Sequence, residues 1–172
     1  ESAPQGSGFL ADTCQAWEAE AQRAQRLGVR VVWLRIGLVL GAGGGALSKM
    51  VPPFRCFIGG PLGSGQQWIS WIHRDDVIGL IERALAHSEL AGAVNATAPH
   101  PVTMREFCRE LGQALHRPSW APVPAVVLRL LLGDMADLLL TGQRVVPHAA
   151  LAGGYVFAYP DLTHALAACL YG

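Results

Sequence analysis

Residues 29–40 read VRVVWLRIGLVL, a nearly unbroken β-branched and aliphatic run that no exposed loop or surface helix would carry. Such a run is the signature of a strand covered on both faces, as in a parallel sheet between helical layers. What precedes it is helical. Leu10, Cys14, Trp17, Ala21 and Ala24 recur at spacings of four and three, with Glu18, Glu20, Gln22, Arg23 and Gln25 elsewhere on the wheel, until Gly28 supplies a stop. A helix feeding a doubly covered strand predicts an α/β sandwich.

The run ends in Gly41, Gly43, Gly44 and Gly45, where Gly41, Gly43 and Ala46 fit G-x-G-x-x-A after a strand and before a helix. A phosphate cradle needs more than this. No acidic residue follows about twenty positions later to hold a ribose, no G-K-[ST] is present, and Pro52 and Pro53 are expected to cut the ALSKM helix short. The glycines are therefore read as a loop beyond a strand end. That place still matters, because ligands of open α/β sheets bind outside the carboxyl ends of the strands.

Downstream, GGPLGSGQQWISWIH offers turn glycines and a short alternating segment. Asp75 or Asp76 is expected to cap a helix with Val77, Leu80, Ile81, Ala84 and Leu85 on one face. His73 is expected to bond nearby backbone, and the two aspartates to be a cap and its neighbour rather than an acid/base pair. GAVNAT reads as a strand, and Thr103 with Glu106 forms a capping box ahead of FCRELGQAL. Beyond Pro118 the chain breaks into short helical pieces, and YVFAYPDLTHALAACLY closes it with a turn and a helix.

Thirteen basic residues balance thirteen acidic ones, so net charge gives no reason to expect nucleic acid or an anionic membrane as partner. The distribution is uneven: no acidic residue lies between Glu20 and Asp75, a segment holding six arginines and Lys49. That segment favours an anionic ligand, or its arginines are simply solvated. Cys14, Cys56, Cys108 and Cys169 show neither metal-ligand nor disulfide spacing, which suits a reducing, cytoplasmic setting and no metal. The apolar stretch from Ala125 to Leu140 is broken by Arg129, Gly133, Asp134 and Asp137 and is too short and charged to span a bilayer. It roofs a substrate cavity, makes a subunit contact in a homo-oligomer, or is a plain pair of core helices. The opening ESAPQGSG, without an initiating methionine, reads as an excerpt of a longer protein.

Several of these segments converge on one family. Arg35-Ile36-Gly37-Leu38-Val39-Leu40-Gly41 resembles the R-P-G-x-V-x-G segment that follows the catalytic helix in extended short-chain dehydrogenase/reductases, and residues 63–77 resemble their G-D-G-x-Q-x-R-D-F-I-H-V-D-D-V segment without a gap. CQAWEAEA, GGALSKMVPPF and LLLGDMADLLLTGQRVVP are similar to the atypical, epimerase-like branch of NAD(P)-binding proteins, which ends in a small domain of unknown function. The resemblance implies a partial Rossmann-like, doubly wound parallel sheet over residues 1–100 and a small, mostly helical subdomain over residues 101–172. It implies NADP, or NAD, as cofactor, held together with an amino-terminal half that carries the glycine fingerprint. It also implies that Ile36, Gly37, Leu38 and Val39 pass beside the nicotinamide and touch it mainly through backbone, Gly37 having a physical motive because a missing Cβ permits close approach.

Two departures limit what carries over. Hydride-transferring members need a tyrosine with a lysine four residues later on the helix matching Phe9 to Leu27, and this helix holds neither: Cys14 and Glu18, or Thr13 and Trp17, occupy the pair of positions. Cys14 is expected in the core and Glu18 in solvent. Ile69 stands where nucleotide-sugar epimerases place an arginine against the substrate diphosphate, which argues against such sugars. The expectation is an NAD(P)-binding, epimerase-like oxidoreductase with a small-molecule substrate and an unidentified acid/base group, or else a non-catalytic NADP sensor or scaffold.

Overall fold

Helix α1 (Phe9–Gln25) leads into two short strands, β1 (Val32–Ile36) and β2 (Leu38–Leu40), where the sequence suggests one. The computed structural model describes residues 1, 6 and 8–172, without the side chains of 131, 132, 134, 135 and 138, so most of the opening ESAPQGSG stretch lies outside the described residues. Helix α2 (Gly45–Arg55), strands β3 (Trp68–Ile69) and β4 (Trp71–His73), and helix α3 (Arg74–Ala86) follow. Next come β5 (Gly92–Ala96), β6 (Val102–Thr103) and α4 (Met104–Leu115). Short helices α5 (Ala125–Leu132), α6 (Asp137–Leu140) and α7 (His148–Ala152) precede the closing α8 (Leu162–Tyr171).

The break at Gly37 separates two pairings. β1 runs parallel to β5, with Leu34 opposite Val94, while β2 runs parallel to β4, with Val39 opposite Ile72. The Gly37 N–H donates to the Ala96 carbonyl at 3.1 Å and the next N–H, of Leu38, donates to Ser70 at 2.8 Å, so the chain changes partner within one residue. β3 pairs antiparallel with β6.

Burial on both faces, expected of residues 29–40, is complete instead on β4. Trp71 joins a core formed with Leu40, Phe54, Phe107 and Leu166, and its neighbour Ile72 joins a second core with Leu80, Val94 and Phe157. Residues of β1 are only partly covered. Alternation of side chains across a strand puts the two cores on opposite faces. The capping box is present: Thr103 Oγ1 accepts from the Glu106 N–H, and the Glu106 carboxylate accepts from the Thr103 N–H at 2.8 Å.

Helix α2 does not stop at Pro52-Pro53 but runs through both. Interior proline costs a helix about 3 kcal/mol, and here both rings lie on the exposed side while Leu47, Val51 and Phe54 are buried on the other. Core burial of that side holds the helix. The glycines before it serve the reversal from β2 into α2: Gly43 and Gly45 adopt φ of 76° and 67°, a region that favours glycine.

Among the four thiols, Cys14 is exposed rather than buried, because no residue of α1 is buried in this chain. Cys56 is exposed as well, whereas burial pushes the Cys108 thiol up to about 12. A thiol reagent at neutral pH is expected to modify Cys56 within minutes and to leave Cys108 unmodified until the protein is denatured, as read by mass spectrometry of the labelled peptides.

Candidate functional site

A cavity of about 630 Å³ opens between α2, the β3–β4 segment and the carboxy-terminal pieces. Helix α2 presents Ala46, Lys49, Met50 and Pro53 to it, a spacing of three, one and three that follows one helical face. The opposite wall is Trp68, Ile69 and Ser70, and Leu128 of α5 and Leu139 of α6 close it from above. Residues from Ala125 to Leu140 thus do roof a cavity, the first of the roles considered for them. Pockets of this size, mostly apolar with a few polar groups, are typical of small-molecule sites.

The polar side chains of the wall are mostly committed. Ser70 Oγ donates to the Gln143 carbonyl at 2.8 Å and accepts from the Val145 N–H at 2.9 Å, which ties residues 143–145 to the sheet. Thr141 Oγ1 donates to the Asp137 carbonyl at 2.6 Å. Among the described lining residues Lys49 is the only one that carries a charge.

Of the four residues expected beside a cofactor, Leu38 lines this cavity. Ile36 and Val39, at the end of β1 and within β2, are 52% and 36% exposed. Gly37 has its close approach elsewhere: a Cβ there would collide with the Ser70 carbonyl oxygen and sit 2.9 Å from Thr97 Cγ2. The missing side chain therefore serves packing within the sheet, and the segment offers a ligand two exposed apolar side chains and its backbone.

The acid/base groups sought on α1 do not converge on the cavity. Glu18 is half-buried and paired: Arg35 of β1 donates through Nε and a terminal nitrogen to its two carboxylate oxygens, both at 2.8 Å. These bonds hold the Glu18 carboxyl below the usual carboxylate range, which makes it a fixed anion rather than a base. Neither Cys14 nor Glu18 lines the cavity. The tyrosines are engaged away from it, Tyr155 donating to Asp76 at 3.2 Å and Tyr159 stacking on His73 with ring centroids 3.8 Å apart. No cluster of three or more metal-ligating side chains occurs among the described residues.

His73 takes the structural role expected of it, with a corrected partner assignment. It is the cap of α3 in place of Asp75 or Asp76: its Nδ1 accepts from the Asp75 N–H at 3.2 Å. Burial holds this imidazole below the ordinary range of histidine, so it stays neutral and free to accept. Asp76, 1% exposed, is no bystander of the cap. Its carboxylate accepts from the N–H groups of Ala158 at 2.8 Å and Tyr159 at 3.0 Å as well as from the Tyr155 hydroxyl. Sequence reasoning also left Ser70 and Lys49 without a role; the absence of any acidic residue from 21 to 74 was the available signal for Lys49.

Comparison with known proteins places this geometry. Residues 10–96 match the model of the NAD dependent epimerase/dehydratase family, and residues 123–169 match a domain of unknown function (DUF1731). The chain is 49% identical over 170 residues to an Arabidopsis thaliana epimerase family protein, the chloroplastic SDR39U1 homolog, covering 99% of this chain and 49% of that protein. It is 44% identical to the Mus musculus epimerase family protein SDR39U1, over 96% of this chain and 57% of that one. Among solved structures, human SDR39U1 with NADPH superposes with a TM-score of 0.90 at 40% identity, covering 98% of this chain and 58% of that one. A nucleoside-diphosphate sugar epimerase from Corynebacterium glutamicum superposes with a TM-score of 0.79 at 29% identity, over 98% of this chain and 32% of that one. The chain spans about half the length of the curated relatives it matches. With the family model covering residues 10–96 and the Rossmann-like architecture shared with these structures, the chain belongs to the NAD dependent epimerase/dehydratase family.

Proposed function

We propose that this chain forms the nicotinamide-side wall and the substrate chamber of an NADP(H)-dependent oxidoreductase, and that the glycine fingerprint and adenine site belong to the part of its relatives' length that it does not span. The observation that carries the reading is the position of Leu38, which lies just beyond the carboxyl end of β1 and lines the cavity. One segment thereby borders both the place where α/β sheets hold ligands and an apolar chamber. NADPH in human SDR39U1 supports NADP over NAD.

The residues fit a nicotinamide held by backbone and apolar contact. Ile36 and Val39 are exposed, Leu38 faces the chamber, and no charged side chain of the segment interferes. When bound, the cofactor supplies or accepts hydride. The chain's own part is to exclude water with Leu38, Trp68, Ile69 and Leu128, and to hold a substrate against that face. With Ile69 where a guanidinium fork would meet a diphosphate, Lys49 is the single cation on the described lining, so a carbonyl compound with an apolar body suits the chamber better than a doubly charged nucleotide sugar.

The second reading is a non-catalytic NADP sensor, favoured by the absence of a tyrosine or lysine on α1 and by the commitment of Tyr155 and Tyr159 elsewhere. The full-length protein, titrated with NADPH and NADH by nicotinamide fluorescence, is expected to bind NADPH at least tenfold more tightly, roughly 1.4 kcal/mol. Oxidation of bound NADPH on any member of a panel of aldehydes and ketones supports the enzyme. Tight binding without turnover on all of them supports the sensor, and binding of neither dinucleotide overturns both.

A further inference from the structure

We infer that the cavity selects small molecules that have an apolar body and a single anionic group, a carboxylate being the simplest, with Lys49 holding that group at the mouth. The inference rests on the reading of the cavity as the substrate chamber. Lys49 is exposed while it lines the cavity, which places it at the opening rather than the base. Its stem runs on the same face of α2 as Ala46, Met50 and Pro53, so the aliphatic part covers apolar wall and the ammonium stays near water.

Three observations together favour an anionic head group. Among the described residues no carboxylate pairs with Lys49. No acidic residue occupies positions 21–74, so none neighbours it along the chain. The hydroxyls of Ser70 and Thr141 are spent on backbone, which leaves the uncharged Gln143 amide and Trp68 indole N–H as the other polar side-chain groups to meet a ligand. Elsewhere on the lining, Leu38, Phe54, Leu62, Ile69 and Leu128 offer only apolar surface. A ligand with two charges, or a polar body such as a sugar, would leave groups unpaired there.

The test uses the full-length protein and calorimetric titration with octanoate, decanoate and decanol, each below its aggregation limit, with NADPH binding measured separately. Decanoate is expected to bind roughly tenfold more tightly than octanoate, from two further buried methylenes. It is expected to bind about five- to tenfold more tightly than decanol, a modest factor because the ammonium is exposed. Lys49→Met should abolish the preference for decanoate over decanol while leaving NADPH affinity unchanged. Leu128→Trp, which fills the chamber, should weaken both ten-carbon ligands alike. Equal affinity for decanoate and decanol, a preference that survives Lys49→Met, no dependence on chain length, or loss of NADPH affinity in Lys49→Met would each overturn the inference. If NADPH binds and the carboxylates do not, the inference fails alone; if the carboxylates bind as described and NADPH does not, the cofactor reading fails and the anion site stands.

Discussion

Asp76→Ala is expected to destabilise the protein by about 3 kcal/mol, the scale of breaking a buried hydrogen-bond network that leaves two donors unpaired. The carboxylate is 1% exposed and takes hydrogen bonds from Ala158 at 2.8 Å, from Tyr159 at 3.0 Å and from the Tyr155 hydroxyl at 3.2 Å. Truncation leaves the Ala158 and Tyr159 N–H groups facing a small void, each short of a partner at a cost of about 1–3 kcal/mol, partly recovered by relaxation or an entering water, while the Tyr155 hydroxyl keeps the Asp76 backbone carbonyl at 3.2 Å. Asp76→Asn should cost less, about 2 kcal/mol, because one oxygen remains but the amide turns a donor toward N–H groups. Tyr155→Phe should cost about 1 kcal/mol, since only one neutral donor is lost. Urea unfolding followed by circular dichroism orders the three. A loss below 1 kcal/mol for Asp76→Ala would show that the carboxylate does not anchor the segment around residues 155–159.

Gly37→Ala is expected to cost about 2–4 kcal/mol, comparable to severe overpacking, although it adds a single methyl group. The atom that obstructs it is the carbonyl oxygen of Ser70, and that carbonyl is already fixed by the Leu38 N–H at 2.8 Å. A flexible side chain could move aside; a hydrogen-bonded backbone group in a strand junction cannot without breaking the pairing of β2 with β4. Gly44→Ala is the control. Nothing lies within 4 Å of a Cβ at Gly44, so the same change there should cost only the poorer capping of α2 by alanine, about 0.5–1 kcal/mol. Equal effects at the two positions would show that the junction is softer than its hydrogen bonds imply.

These two residues also show where the sequence is silent. Both stand out in the chain, Gly37 as a place for close approach and Asp76 as part of a helix start, yet the partner in each case lies far along the sequence or on another strand. Local patterns were legible wherever the physics is local. The helix Phe9–Gln25, the strand at Gly92–Ala96 and the Thr103–Glu106 box need only their own neighbours. The prolines of α2 misled because their cost is local while the burial of Val51 and Phe54 that offsets it is not.

Helix α3 gives the same lesson in its register. The apolar face expected through Val77, Leu80, Ile81, Ala84 and Leu85 is rotated, so that Asp76, Leu80 and Ala84 point inward and Ile81 and Leu85 are exposed. A hydrophobic wheel assigns a carboxylate to solvent. Here three donors from a segment about eighty residues away turn it into the core. The cavity divides similarly: Leu38 falls in the segment that the motif singles out, whereas the rest of the lining is an assembly of α2, β3 and helices beyond Pro124 that no single stretch announces.

The roof of that chamber has a further consequence. Leu128 and Leu139 belong to the region matching the domain of unknown function, while Leu38, Lys49 and Ile69 belong to the part matching the epimerase/dehydratase model. Floor and ceiling are thus encoded by separate blocks of sequence. If the cavity is the substrate chamber we propose, exchanging the block after Pro122 between relatives changes which molecules it accepts and leaves the dinucleotide preference in place, because a new lid is grafted onto an unaltered strand-end segment.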